Sequence, residues 1–222
     1  MKKAKSSKGK EKKLQHKQRL AEIAKSQAII DDANKAPNPM QHFTAFQKFD
    51  RNGLSLSIEC KRVSELSRDD LDWAFRLTKS NMQDLYELGG WKWHDGKTKG
   101  EMEDENCWFL IARKAGCPVA FVNFRYELGD EDVEICYCNE IQLEEHCRSK
   151  GLGKFLLQIL ELLCHKAKMR KIVCTVLKAN DRSMNFFQNK MKYSADSTCP
   201  SQCDLLNADD YCYEILSKLL IV

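Results

Sequence analysis

The stretch Arg148-Ser149-Lys150-Gly151-Leu152-Gly153-Lys154 runs straight into Phe155-Leu156-Leu157-Gln158-Ile159-Leu160-Glu161-Leu162-Leu163-Cys164, a glycine-spaced loop at the head of an apolar helix-forming run. The apolar run is too short, and too polar at Gln158 and Glu161, to span a bilayer; it predicts a buried helix over Phe155–Met169. A glycine-spaced loop at the head of such a helix presents several backbone N–H groups where the helix carries partial positive charge, which favours a bound pyrophosphate. Gly151 and Gly153 let the backbone approach the phosphates closely, and Arg148 and Lys154 add positive charge. Glycine before a helix is common, so the spacing alone says little. Two other phosphate loops do not fit: there is no GxGxxG with an acid about twenty residues on, and no GxxxxGK[ST].

Outward from the loop, strand and helix signals alternate. Val133–Leu143 reads as the strand before it; Ile172–Leu177, a helix over Ser183–Lys190 and a strand near Tyr211–Leu216 follow. Upstream, Leu54–Lys61 alternates with period two after the turn Asp50-Arg51-Asn52-Gly53. Ser67 opens a helix with an acidic first turn that runs through Leu88 to Gly89-Gly90, and Trp91-Lys92-Trp93 follows in a loop. Strands over Cys107–Arg113 and Val119–Tyr126 flank a turn at Ala115–Pro118. Strands before the glycine loop look antiparallel and a strand-helix-strand unit follows it, so the fold class is α/β with a mixed sheet.

Charge divides the chain. Among its 222 residues the net charge is +4, yet residues 1–19 hold nine Lys or Arg against Glu11 alone. The remainder keeps 27 bases against 31 acids, about −4. A basic arm on a mildly acidic body suggests two different partners rather than one basic nucleic-acid-binding surface. Apolar residues in the arm become regular only after about Leu20, which predicts disorder first and then an amphipathic helix ending near Asn34, before Pro37-Asn38-Pro39. Nothing apolar follows the N-terminal lysines, so no secretory signal is read there, and a soluble protein made in the cytosol is expected. Eleven cysteines occur without a CxxC pair; the nearest metal-like group, Cys199, Cys203 and Cys212, has no histidine after His165 to complete it. Reduced, buried cysteines and no metal are the expectation.

The loop, the strand residues Glu140-Ile141-Gln142-Leu143, and the later Asn180 and Phe186-Phe187 together resemble the GNAT acetyltransferase superfamily, whose Arg/Gln-x-x-Gly-x-Gly/Ala loop binds the pyrophosphate of acetyl-CoA. Asp50–Val63, Asp72-Trp-Ala-Phe, Thr78-Lys-Ser-Asn-Met-Gln, Tyr86-Glu, Gly151-Leu-Gly-Lys-Phe-Leu and Tyr213-Glu-Ile-Leu-Ser look like the N-alpha-acetyltransferase D family, over about residues 34–217. That family acetylates the N-terminal serine of histones beginning Ser-Gly-Arg-Gly. The resemblance implies a mostly antiparallel mixed sheet flanked by helices, with a basic helical arm at residues 1–34, an acetyltransferase domain at 35–217 and a tail at 218–222.

Residue by residue, the resemblance implies that Ile141, Gln142 and Leu143 hold the pantetheine and acetyl carbonyl of acetyl-CoA through their backbone. Ser149, Lys150, Gly151, Leu152, Gly153 and Lys154 would hold its pyrophosphate, and Asn180 would lie along it. Glu140 matches a general base. Tyr86, Trp91, Thr175 and Tyr213 match the substrate pocket, and Glu127 matches an acid that meets the histone arginine. Asn139 falls at a pocket position where an aromatic residue is expected, and the loop Glu127–Asp132 differs in length from the family's.

The chemistry needs few parts. A peptide α-amino group has a pKa near 7.7–8.0, so a weak base such as Glu140 suffices to free it. A strand N–H stabilises the oxyanion, and Tyr137 or Tyr213 could protonate the leaving thiolate. Each residue also has a plainer reading: Glu140 as a solvent-facing acid, Tyr137 and Tyr213 as strand formers, Tyr86 as a core edge, Trp91 and Trp93 as loop anchors. Five acids between Glu127 and Glu134 are either a solvated turn or a surface for a basic peptide. The expected partners are histone N-terminal tails, with nucleic acid or an import receptor for the arm and no membrane. A monomer in nucleus and cytoplasm is expected. Acetylation of lysine side chains or of other N-termini, and a non-catalytic chromatin-binding module, are the alternatives.

Overall fold

The structure, a computed structural model, describes residues 4–220, the side chains of residues 4–8 and of Glu131 excepted. Eight strands form one sheet in the order β1 (Lys48–Arg51), β2 (Leu54–Arg62), β3 (Trp108–Lys114), β4 (Cys117–Leu128), β5 (Glu134–Leu143), β6 (Lys171–Leu177), β8 (Tyr213–Leu219) and β7 (Ser194–Ala195). Every pairing is antiparallel except β5 with β6, because the helix α4 (Leu152–Lys166) carries the chain back across the sheet between them. The expected mixed, mostly antiparallel sheet is therefore present.

The two faces bury different helices. Odd-numbered residues Phe109, Ile111 and Phe121 meet α2 (Arg68–Leu88) and α3 (Asp95–Met102) in one cluster. Leu110, Val122, Phe124 and Cys136 meet α4 and the C-terminal half of α1 (Ala4–Lys35) in the other. The period-two pattern of β2, buried at Leu54, Leu56, Ile58 and Cys60, follows from one of its faces being the larger core. Ser67 caps α2, accepting from Asp70 N at 3.2 Å, as its position before an acid-rich turn predicts. Eight of the eleven cysteines are buried, acting as small apolar residues.

Three expectations change. Helix α1 extends from Ala4 instead of beginning near Leu20, because Lys, Ala, Gln, Glu and Leu all propagate helix and no proline intervenes. Its packing follows the apolar pattern: Ile30 is buried and Asn34 Oδ1 accepts from Trp108 Nε1 at 3.2 Å, whereas Leu14 and Leu20 are exposed. The final strand runs through Leu219, and Leu220 N bonds Arg170 O at 2.8 Å, so sheet pairing continues beyond residue 217, where a tail was expected. The segment 183–190 is a short helix, α5 (Asp181–Asn185), followed by a wider turn in which Met191 N reaches Phe186 O at 3.0 Å.

Helix α2 is pinned by a fork. Arg113 donates to both carboxylate oxygens of Asp70, at 2.9 and 2.8 Å, and to Glu59 at 2.6 Å, with Arg113 and Asp70 side chains each only 15% exposed. The Arg113 hydrogen bond holds the Asp70 carboxyl below its ordinary range. Arg113→Met should lower the unfolding free energy by about 2–3 kcal/mol, read from the urea midpoint at neutral pH, since it leaves the largely buried Asp70 carboxylate without its bidentate partner, while Glu59 keeps Lys61 at 3.2 Å. Because the Asp70 pKa is depressed in the fold, this contribution is present above the ordinary aspartate pKa and fades as pH falls below it. A loss that persists undiminished at acid pH would assign the effect to packing instead.

Candidate active site

Strands β5 and β6 part company where the chemistry is expected. They pair only from Ile135 opposite Lys171 to Tyr137 opposite Val173; beyond this β6 stays with β8 while β5 stays with β4. The β6-facing edge of Cys138–Leu143 is left without a strand partner, which includes the Ile141–Leu143 segment expected to hold pantetheine. Unpaired edge N–H and C=O groups are strong hydrogen-bonding groups seeking partners.

A bulge decides which side chains line this cleft. Asn123 pairs with Glu140, but the next residue, Phe124, pairs with Cys138, so Asn139 is an extra residue in β5. Strand parity flips there. Cys136, Cys138, Ile141 and Leu143 all belong to or pack against the α4-side core. Tyr137, Asn139, Glu140 and Gln142 share the other face, towards α2. Thus an odd-numbered tyrosine and an even-numbered glutamate project into one space.

The carboxyl of half-buried Glu140 is pushed up to about 7, mainly by burial, with a contribution from Glu101; a hydrogen bond from Gln142 Nε2 to its Oε2, at 2.7 Å, opposes the shift. Such a group is poised to exchange a proton at neutral pH. Tyr137 shares a 2.7 Å hydrogen bond with Thr175 Oγ1 across the neck of the cleft, and burial raises its phenol pKa, keeping it protonated. Tyr86 is raised by burial and by the neighbouring Glu140 charge. Its ring packs 5.8 Å from Trp91 and 5.2 Å from Trp93, and Trp91 packs 5.1 Å from Tyr213, giving an aromatic wall. Trp93 is the buried anchor, donating to Asp95 Oδ1 at 2.6 Å; Trp91 is 40% exposed.

The loop has the form that the glycine spacing predicts. Gly151 occupies the N-cap of α4 in the left-handed region, φ 85°, and no described side chain caps the helix, leaving its first N–H groups free for an anion. A β-carbon at Gly153 would lie 3.5 Å from Phe186 and 3.9 Å from Ile141 and Leu143, so the loop sits against the end of β5. Asn52 buttresses it, donating to Lys150 O at 2.8 Å, and Arg182 reaches Ser149 Oγ at 3.3 Å. Leu152 is buried as a core side chain and Lys154 is exposed. Asn180 uses its side-chain oxygen to cap α5 at Ser183 N, 3.0 Å, leaving its amide NH2 for other partners. These donors, the unpaired β5 edge and the uncapped helix suit a ligand with an anionic phosphate end and an amide-bearing arm.

The acidic segment is less open than its sequence implies. Glu127 is hydrogen-bonded to Arg125, which also donates to Asn139 at 3.2 Å and lies over the Tyr137 ring. Asp132 pairs with Arg19 of the arm at 2.9 Å, and buried Glu134 with Arg170 at 3.1 Å. The segment folds back on the chain's own cations because α1 packs along β4 and β5. Asn139, expected in the pocket, is tied inward to buried Asn123 at 2.7 Å. Sequence reading named neither Arg125 nor Asn123. Among the described residues no group of three or more His, Cys, Asp or Glu is placed to hold a metal ion.

A split sheet, an uncapped glycine loop and an enclosed acid define an acyltransferase that uses coenzyme A thioesters. The chain belongs to the acetyltransferase (GNAT) family, whose profile matches residues 67–193. Its co-substrate is acetyl-CoA. Among solved structures, it resembles the PaiA N-acetyltransferase of Thermoplasma acidophilum in complex with coenzyme A, at TM-score 0.52 and 17% identity over 73% of this chain and 99% of that one. It also resembles Arabidopsis thaliana NAA60 in complex with a bisubstrate analogue (TM-score 0.54, 11% identity, 74% and 100% covered). Naa50 of the same plant, with the bisubstrate analogue CoA-Ac-MVNAL, superposes at TM-score 0.50 with 15% identity, covering 72% and 97%. At such identities the likeness is one of fold.

Proposed function

We propose that the chain acetylates the α-amino group of protein N-termini, and among these the N-terminal serine of histones beginning Ser-Gly-Arg-Gly. The observation that carries this is the bulge at Asn139, which sets Tyr137 and Glu140 on one face beneath a wall of Tyr86, Trp91 and Tyr213. Such a wall suits a small first residue. Acetyl-CoA, when bound, supplies a thioester carbonyl open to attack by a neutral amine. Glu140 takes the proton from the α-ammonium, whose pKa near 7.7–8.0 lies close to its own of about 7. A backbone N–H on the free edge of β5 stabilises the negative charge on the carbonyl oxygen. Tyr137, held by Thr175, gives a proton to the departing sulfur. The exposed Lys10, Lys12, Lys13 and Lys17 of α1 support contact with nucleic acid or an import receptor and work in both nucleus and cytoplasm.

Incubation with acetyl-CoA and a Ser-Gly-Arg-Gly-Lys peptide, read by mass spectrometry, should add one acetyl group at the serine amine. Acetylation confined to the lysine side chain would overturn the reading. Selectivity for arginine at the third residue should be modest. A fresh charged hydrogen bond contributes about 1.5–3 kcal/mol, but a substrate guanidinium must replace Arg125 on Glu127, so the exchange gains less. Peptide Arg→Ala should therefore reduce kcat/KM by less than about tenfold, and Glu127→Ala should abolish that difference. Equal discrimination in wild type and Glu127→Ala would remove Glu127 from substrate recognition.

A further inference from the structure

Four side chains from three elements form a chain of hydrogen bonds behind the cleft. Arg148 Nη2 donates to Asn81 Oδ1 at 2.5 Å, Asn81 Nδ2 to Gln142 Oε1 at 2.9 Å, and Gln142 Nε2 to Glu140 Oε2 at 2.7 Å. The same Arg148 donates through Nε to Leu143 O at 3.0 Å, locking the end of β5 to the start of the loop. We propose that Asn81 is a positioning residue for the reaction: through Gln142 it fixes the carboxylate of Glu140 and ties it to Arg148 at the entrance of the phosphate-binding loop. The proposal rests on Glu140 being the base.

The direction of the chain follows from its ends. Arginine can only donate, so Asn81 must turn its oxygen to Arg148 and its NH2 to Gln142. Gln142 then accepts on Oε1 and has only NH2 to offer Glu140. Every dipole points the same way, and each bond strengthens the next. Gln142 is buried, so water has little access to take over Asn81's part. The chain favours the ionised carboxylate, opposing the effect of burial. The other groups near Glu140 do not duplicate this: Glu101 from α3 is acidic and raises its pKa, Cys138 on its own strand is kept a neutral thiol by burial and faces the α4 core, Tyr86 from α2 has its phenol pKa raised, and Asn123 opposite on β4 is bonded to Asn139. A plain structural role for Asn81, stapling α2 to β5, would stabilise the fold without reaching the proton chemistry.

Asn81→Asp separates the two. The aspartate keeps the contact with Arg148 but has no N–H for Gln142, whose amide must turn and present its oxygen to Glu140. The acid limb of the kcat–pH profile should then move up by about one pH unit, the size of one lost hydrogen bond to a carboxylate. The rate at pH 7 should fall about fivefold and recover at alkaline pH, with the acetyl-CoA Kd nearly unchanged. Asn81→Ala, which frees Gln142 without reversing it, should move the limb the same way by less, and it serves if Asn81→Asp does not fold. In Glu140→Gln enzyme, either Asn81 substitution should change the rate no further, because the effect passes through the missing carboxylate. An unmoved acid limb in the folded Asn81 variants, or an additive loss in Glu140→Gln, overturns the proposal. Near-normal kcat in Glu140→Gln alone overturns the base assignment itself, a result distinguishable from either.

Discussion

Glu140→Gln should lower kcat at pH 7 by about a hundredfold or more while leaving the acetyl-CoA KM nearly as it is, because loss of a positioned general base removes a factor of roughly 10²–10⁴. The deficit should narrow as pH rises above the amine pKa near 7.7–8.0, where the nucleophile is neutral without help. Stability supplies an independent check on the sign. Burial raises the Glu140 pKa to about 7 in the fold, so the ionised form is the one the fold disfavours. Whatever stability the carboxyl contributes is present below its unfolded pKa and lost as pH passes through 7. Glu140→Gln should therefore be at least as resistant to urea as wild type at pH 8. An enzyme that lost both activity and stability at pH 8 would point to a structural glutamate.

Gly153→Trp should raise the acetyl-CoA KM by about a hundredfold or more, equivalent to losing two hydrogen bonds to an anionic phosphate. Gly153 is a better test than Gly151. At Gly151 the positive φ penalises any side chain by about 1–2 kcal/mol, mixing backbone strain with lost binding. Gly153 carries no positive φ and has room for a β-carbon, 3.5 Å from its nearest neighbour Phe186 and 3.9 Å from Ile141 and Leu143, so an indole adds bulk where the loop meets the end of β5 without backbone strain. The measurement is acetyl-CoA affinity by calorimetry beside a thermal melt. Unchanged affinity with an unchanged melt would remove the glycine loop from cofactor binding.

Much of this architecture was legible because long amphipathic elements announce themselves. The apolar faces of α2 and α4, the alternation of β2 and the glycines before α4 each follow one physical period. Short elements did not. Strand β1 has a single buried residue, Phe49, and α3 carries Gly96 and Gly100, both poor helix formers, so neither shows a pattern. The loop residues and Glu140 could be found from spacing and resemblance. The bulge could not: nothing in Tyr137-Cys138-Asn139-Glu140 marks Asn139 as the extra residue, since it is created by pairing with β4. For the same reason Asn81 stood only as part of a motif, its partner being 61 positions away. The acid at Glu127 was visible, but not the arginine two residues earlier that occupies it.

The bulge also limits how this chain can change its length. A strand usually tolerates trimming at its ends, and removing Asn139 would leave Glu140 to follow Cys138 in plain alternation, so Glu140 and Gln142 would stay on the cleft face while the Asn139 bonds to Asn123 and Arg125 were lost. Removing an ordinary paired residue such as Ile141 is different: Gln142 would turn toward the α4 core as a buried polar group, and Leu143 toward the reactive cleft. Exposed positions along this sheet can change one residue at a time; between Glu140 and Leu143, reading frame in space constrains the gene as strictly as reading frame in codons.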